Sequence, residues 1–155
     1  MNKLCLLLLA LGLAPLAAQD GKPDFAGAWD LQLDKSDFGP LPRPESVTYT
    51  VEHKEPKVTL TTRSKTAQGE ATSVRNHTTG GEENTNQVQG REWKSKTRWE
   101  GNELVTESQY ETQQFGKVKL KERWQLSEDR KTLTVARSFA SELGEAEQKY
   151  VFARQ

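Results

Sequence analysis

The chain has 155 residues, with 22 basic and 22 acidic side chains and a formal net charge of zero. This balance, without a basic stripe, argues against a nucleic-acid partner and against electrostatic attachment to a membrane. Hydrophobic residues make up only 34% of the chain. Any core must therefore be thin and rich in aromatic residues, which favours a barrel with a polar lining over a densely packed sandwich.

Residues 1–18 have the pattern of a secretory signal. Lys3 provides a positive charge, an apolar run follows over residues 4–13, and Leu16-Ala17-Ala18 offers small residues for cleavage. The run is too short to span a membrane. We expect export to a secreted or periplasmic location, with no membrane insertion after cleavage. Cys5, the single cysteine, lies in this segment, so the mature chain would contain neither disulfides nor thiols.

The first three strands follow from alternating apolar and polar residues. Residues 19–24 form a polar lead-in, and residues 25–155 are predicted to form one barrel domain. Three prolines between residues 40 and 44 separate the first strand from the second, because they fit neither a helix nor a central strand. The predicted inward rows are Phe25, Gly27, Trp29, Leu31 and Leu33; then Val47, Tyr49, Val51 and His53; then Val58, Leu60, Thr62 and Ser64.

The pattern is weakest from Glu70 to Gln89, where Val74 and Val88 are the only large apolar residues. Two strands fit around Gly80-Gly81, and we expect either a short polar hairpin at the rim or a loose seam in the sheet. Strands joined by short hairpin loops then continue to the end of the chain. The whole pattern predicts an all-β fold, a single antiparallel up-and-down β-barrel of about eight to ten strands.

Strand register can be predicted because a slip of one residue would expose the apolar row. Matching Trp124 with Val135 across their hairpin also places Glu122 opposite Arg137. In the last hairpin the same reasoning is expected to place Tyr150 opposite Arg137. The predicted apolar layer consists of Trp99, Leu104, Trp124, Val135 and Phe152, and the polar layer above it consists of Thr97, Thr106, Glu122, Arg137 and Tyr150.

Charges on the inner face of a barrel are costly unless they are paired or used. Two interpretations of Glu122 and Arg137 follow. Either the two side chains only neutralise each other inside a wet barrel, or Arg137 together with Tyr150 also contacts an anionic or polar group of a ligand.

The segment Phe25-Ala26-Gly27-Ala28-Trp29, combined with Arg154 in the last strand, resembles the signature of the calycin superfamily. This superfamily includes the lipocalins, the intracellular fatty-acid-binding proteins and avidin. The resemblance implies a lipocalin-like barrel, here of an exported bacterial type. It also implies that Trp29, which follows Gly27 by two residues, lies under Arg154 in a cation–π contact that closes one end of the barrel.

The last strands are similar to those of fatty-acid-binding proteins, over the stretches 99–105, 117–124 and 149–154. Three features depart from that pattern. A proline-rich link replaces the helix-turn-helix portal after the first strand. Glu122 occupies a position where an arginine would be expected, and Tyr150-Val151-Phe152 replaces the carboxylate-binding Arg-x-Tyr.

No pattern in the chain indicates catalysis. Neither His53 nor His77 has the neighbours of a zinc site, no Gly-x-Ser-x-Gly turn exists, and Glu122 lacks a second inward carboxylate. We therefore predict no enzyme activity, no cofactor and no metal.

The predicted function is binding of a small hydrophobic or amphipathic molecule inside the barrel. The alternative is an exported structural or protein-interaction module with a filled barrel and no ligand, which would contact a protein through its polar rim or a sheet edge. The candidate ligand-binding residues are Tyr49, Trp93, Trp99, Thr106, Glu122, Trp124, Arg137 and Tyr150.

Overall fold

A computed structural model describes residues 21–155, and these residues form ten β-strands and no helix. The predicted signal segment lies outside the described residues. No helix in the described part is long and apolar enough to cross a membrane. The strands are β1 (Gly27–Leu31), β2 (Ser46–Lys54), β3 (Lys57–Thr66), β4 (Gly69–Thr78), β5 (Gly80–Val88), β6 (Arg91–Glu100), β7 (Glu103–Thr112), β8 (Gly116–Leu126), β9 (Thr132–Ser141) and β10 (Gly144–Arg154).

The ten strands make one antiparallel sheet in the order β4-β3-β2-β1-β10-β9-β8-β7-β6-β5. Each strand is hydrogen-bonded to its neighbours in the chain, with two differences: β1 pairs with β10, and β4 is not hydrogen-bonded to β5 in the ladder. The sheet therefore curls into a nearly closed barrel, and the predicted all-β up-and-down architecture is confirmed.

One end of the barrel is filled with aromatic side chains. Phe25 stacks on Trp99 at 5.9 Å between ring centroids and meets Trp124 edge-on at 5.7 Å. Tyr49 stacks on Phe152 at 4.2 Å and on Trp124 at 5.7 Å. Rings bury a large apolar area each, so a small number of residues fills this end, which we call the apolar end.

The apolar end is closed by Arg154 over Trp29. The two residues face each other in the β1–β10 ladder, and the guanidinium carbon lies 4.2 Å from the indole centroid. Arg154 also donates to the carbonyls of Ala26 and Arg130. A Cβ at position 27 would lie 2.5 Å from Arg154 Nη1, and Gly27 has a φ of +133°. Glycine is needed here both for space and for backbone conformation.

Strand register is as predicted on one side of β9 and different on the other. Trp124 lies opposite Val135, and Glu122 lies opposite Arg137. In the last hairpin, however, Arg137 lies opposite Gln148. The prediction that Tyr150 is opposite Arg137 is therefore wrong by two residues. The apolar layer contains Tyr150 in place of Phe152, and the polar layer contains Gln148 in place of Tyr150.

Strands β4 and β5 form a seam along which side chains replace the backbone ladder. The Asn86 side chain accepts from the Asn76 amide at 2.7 Å and donates to its carbonyl at 3.0 Å. Asn84 accepts from the Thr78 amide at 2.8 Å. The expectation of a loose seam is confirmed, but the alternative of a short hairpin at the rim is wrong, because β4 and β5 are full-length strands.

Candidate functional site

The centre of the barrel contains two arginines and one glutamate, Arg75, Glu122 and Arg137, which we call the ion cluster. Arg75 Nη1 and Nη2 donate to the two carboxylate oxygens of Glu122 at 2.8 and 3.4 Å. Arg137 Nε lies 3.5 Å from Glu122 Oε1. The side chain of Glu122 is only 2% exposed, and those of Arg75 and Arg137 are 8% and 16% exposed.

The Arg75–Glu122 pair crosses the barrel, since Arg75 is on β4 and Glu122 is on β8. A bidentate guanidinium–carboxylate pair fixes both planes and is stronger than a neutral hydrogen bond. It therefore makes a rigid polar layer above the apolar end.

The pKa of each member of the ion cluster keeps it charged. Burial acts to raise the pKa of Glu122, but Arg75 and Arg137 outweigh it and lower the pKa to about 2. Burial acts to lower the pKa of both arginines, but the charge of Glu122 outweighs burial, and the pKa of each arginine is raised. Two cations and one anion leave the ion cluster with one uncompensated positive charge.

Arg137 is surrounded by aromatic rings and has spare hydrogen-bonding capacity. Its guanidinium carbon lies 4.9 Å from the ring centroids of both Phe139 and Tyr150. Nη1 donates to Gln148 Oε1 at 2.9 Å, whereas Nε is buried without a hydrogen-bond partner among the described residues. Arg75 is held similarly, 5.4 Å from the Trp93 ring centroid.

A half-open cavity of about 260 Å³ lies above the ion cluster. Its walls come from β2, β3, β4, β5, β6, β9, β10 and the proline-rich segment. The lining residues are Pro42, Pro44, Val47, Tyr49, Thr62, Ser64, Thr66, Ser73, Arg75, Val88, Trp93, Arg137 and Tyr150. Burial is the main cause that raises the pKa of Tyr49 to about 12, so its hydroxyl stays protonated and can donate.

The proline-rich segment is anchored beside this cavity by β10. Asp37 exchanges two backbone hydrogen bonds of 2.8 Å with Lys149. The Phe38 ring packs edge-on against Tyr150 at 5.4 Å, and the Phe38 carbonyl accepts from Gln148 Nε2. The chain therefore runs from β1 along the cavity mouth, where Pro42 and Pro44 contribute to the wall.

Of the eight predicted ligand-binding residues, Tyr49, Trp93, Arg137 and Tyr150 line the cavity. Glu122 is underneath them in the ion cluster.

The other three predicted residues lie elsewhere. Trp124 packs in the apolar end. Trp99 stacks there too and donates from Nε1 to Glu55 at 3.0 Å. Thr106 is 2.9 Å from Thr97, hydroxyl to hydroxyl, in a buried polar group on the far side of the ion cluster from Arg137.

That buried polar group also contains His77, whose Nδ1 is 3.3 Å from the hydroxyls of Thr97 and Ser95. Burial first, and then the charge of Arg75, lower the pKa of His77 to about 4. The ring is therefore neutral at neutral pH. Among residues 21–155 no three His, Cys, Asp or Glu side chains are grouped so that they could hold a metal ion.

Sequence reasoning missed Arg75, Thr66 and Ser73, and it placed Thr62 and Ser64 on the inner face without assigning them to the site. Arg75 belongs to the segment judged weakest because it has few apolar residues. One signal was available: Ser73, Arg75 and His77 alternate with Val74 and Asn76, and a two-residue turn after Thr66 would have placed Arg75 opposite the inward Leu60, as observed.

No family model matches this chain, and no curated protein matches its sequence. Solved structures do match. The zebrafish ileal bile acid-binding protein complexed with cholic acid is 13% identical with a TM-score of 0.59, over 84% of this chain and 98% of that one. Human cRBP IV is 16% identical with a TM-score of 0.53, over 86% and 99%. A Schistosoma mansoni fatty acid binding protein in complex with arachidonic acid is 16% identical with a TM-score of 0.51, over 84% and 96%.

These neighbours, with the ten-stranded nearly closed barrel, show that the chain has the fold seen in fatty-acid-binding proteins. The fold implied by the resemblance of its first and last strands is therefore confirmed. At these identities the likeness concerns the fold, and the function has to be argued from the site.

Proposed function

We propose that this protein is an exported, non-catalytic binding barrel that holds a small amphipathic molecule with an acidic group in the cavity above the ion cluster. The observation that carries the proposal is the uncompensated positive charge of the ion cluster at the base of a half-open cavity. A buried charge in excess is costly, and an anionic ligand would neutralise it.

The aromatic lining supports the amphipathic part of the proposal. Tyr49, Trp93 and Tyr150 contribute aromatic surface to the cavity, and ligand pockets combine such apolar walls with a few convergent polar groups. Two proteins of the same fold contain acids, cholic acid in one and arachidonic acid in the other. The open cavity also favours a binding role over the alternative of a filled structural barrel.

Export and the absence of catalysis are further parts of the proposal. Export is supported by the charge and apolar run of residues 1–18, and N-terminal sequencing of the protein recovered outside the cytoplasm would test it. The non-catalytic role is supported by Glu122, the carboxylate of the ion cluster, which is paired with Arg75 and held ionised. It is therefore unsuited to act as an acid or a base near neutral pH.

The binding test compares carboxylic acids with their neutral methyl esters. Decanoate, cinnamate and 4-hydroxycinnamate, each paired with its ester, would be titrated while the emission of the tryptophans is recorded and the heat of binding is measured. We expect at least one acid to bind and its ester to bind at least about tenfold more weakly, since the ester loses a charged hydrogen bond.

The matched variants are Arg137→Gln, in the cavity, and Arg63→Gln, on the exposed outer face of β3. The first should weaken acid binding about tenfold or more, and the second should leave it unchanged. Equal binding of acids and esters, or no binding of any acid to the wild-type protein, would refute the proposal. A thermal scan of each variant shows whether it is folded.

A further inference from the structure

The cavity has one wall of hydroxyl groups. Thr62, Ser64 and Thr66 project from β3, and Ser73 projects from β4 directly opposite Thr62. Within the described residues, the side chains of Thr62, Ser64 and Ser73 have no hydrogen-bond partner. Free hydroxyls along a cavity wall are suited to a ligand with polar groups of its own, because an aliphatic chain would leave them unpaired.

The other wall is aromatic and cationic. Arg137 is on β9, four strands from β3 in the order of the sheet, so it faces the hydroxyl wall from the other side of the barrel. Tyr150 on the adjacent β10 completes this side, whereas Trp93 lies on β6, across the β4–β5 seam from the hydroxyl wall. Arg137 lies over the Tyr150 ring, and Trp93 is stacked on Tyr110, so the ring edges are what a ligand would meet. Aromatic edges favour aromatic partners, and a guanidinium next to them favours a planar carboxylate.

The cavity is also small. Its volume of about 260 Å³ is below the roughly 300–1,000 Å³ of pockets that enclose drug-sized ligands. Because the ion cluster spans the barrel beneath the cavity, a long chain cannot extend into the apolar end without breaking the Arg75–Glu122 pair. The single excess positive charge of the ion cluster, finally, would be neutralised by a ligand that carries one negative charge.

We propose that the ligand is a compact, hydroxylated aromatic monoanion, with its carboxylate against Arg137, its ring among Trp93, Tyr49 and Tyr150, and its hydroxyl against the β3–β4 wall. This inference rests on the acid-binding function proposed above and narrows its ligand class. It separates this barrel from carriers of long-chain acids by the hydroxyl wall and by the ion cluster that blocks the interior.

The test uses 4-hydroxycinnamate, cinnamate and decanoate as probes, measured by calorimetry on the folded wild-type protein. We expect 4-hydroxycinnamate to bind about fivefold to tenfold more tightly than cinnamate, because its hydroxyl can form one additional hydrogen bond with the wall. Decanoate should bind more weakly than both aromatic acids.

The double variant Thr62→Val/Ser64→Ala keeps the shape of the wall and removes two hydroxyls. It should reduce the preference for 4-hydroxycinnamate over cinnamate to about onefold to twofold, while the affinity for cinnamate stays unchanged. The control variant Thr61→Val, on the outer face of the same strand, should keep the full preference.

Two results would overturn the inference in distinguishable ways. If decanoate binds most tightly and its ester does not bind, the acid-binding function stands and the hydroxylated aromatic class is wrong. If no acid binds, both proposals fail. A preference for 4-hydroxycinnamate that survives in the double variant would also overturn the role given to the hydroxyl wall.

Discussion

Replacing Glu122 by glutamine tests whether the ion cluster is a buried, mutually dependent group. The substitution keeps the shape of the side chain and removes the anion that contacts two buried guanidiniums. Removing one partner of a buried ion pair costs about 3–5 kcal/mol, because the remaining charge is left uncompensated. This is a large part of the roughly 5–15 kcal/mol by which a domain of this size is stable.

The pKa of Glu122 gives a second route to the magnitude. The ionised carboxylate has a pKa of about 2 in the folded protein against 4.5 for an unperturbed glutamate. At about 1.4 kcal/mol per pKa unit, this difference corresponds to about 3 kcal/mol of stability. Because the folded-state pKa is the lower one, that stability is present above pH 4.5 and is lost as the pH falls towards 2. The two routes agree in order of magnitude.

The assay is urea unfolding at neutral pH, followed by tryptophan fluorescence, for Glu122→Gln and for the matched control Glu107→Gln. Glu107 also contacts two cations, Arg98 at 2.9 Å and Lys121 at 3.4 Å, but its side chain is 49% exposed. The control should change the free energy of unfolding by less than about 1 kcal/mol. If both variants lose the same small amount, the ion cluster is solvated and the argument from burial is wrong.

Three further predictions concern coupling, closure and pH. A double-mutant cycle of Glu122→Gln with Arg75→Met should give a larger coupling energy than a cycle of Glu122→Gln with Arg137→Met, because of these two arginines only Arg75 is hydrogen-bonded to the carboxylate. Equal coupling energies would contradict this. Gly27→Ala should lower the urea midpoint more than Gly69→Ala. Both positions have a positive φ, but only the Cβ at position 27 would lie 2.5 Å from the Arg154 guanidinium. Equal decreases in the midpoint would show that backbone strain alone determines the effect. His77, with a pKa lowered to about 4, should make stability fall as the pH drops from 6.5 towards 4, because the unfolded chain binds the proton more readily; His77→Gln should flatten the stability profile over this range, and an unchanged profile would refute the assignment.

The fold was largely predictable because alternation and short turns act together. The pairing of Trp124 with Val135 was correct, since a slip by one residue would have moved the apolar row to the outside. In the last hairpin, a slip by two residues keeps every side chain on its face. Tyr150 and Phe152 are both aromatic and two apart, so the pattern accepts either one opposite Val135. The turn decides, and the observed two-residue turn pairs Ser141 with Gly144.

The site was predictable only in part, because polar interiors carry no hydrophobic pattern. Arg137 and Glu122 could be recognised as charges in otherwise apolar rows. Arg75 lies in a strand whose outward Val74 is 45% exposed and whose inward neighbours are polar, which reverses the usual rule. Whether a cavity remains inside the barrel also depends on how strongly the sheet curls. Curling is set by side-chain packing across the barrel, which the alternation of apolar and polar residues does not reveal.

The seam between β4 and β5 has a consequence for where the chain could begin and end. Strand β1 pairs with β10, and the Gln155 amide donates to the Ala28 carbonyl at 2.9 Å, so the two ends of the barrel segment are adjacent. Thr79, in contrast, is the single residue between β4 and β5, two strands that share no ladder. Opening the chain there and linking residue 155 to residue 25 would leave every strand pairing in place. A circular permutant that begins at residue 80 and joins residue 155 to residue 25 is therefore expected to form the same barrel.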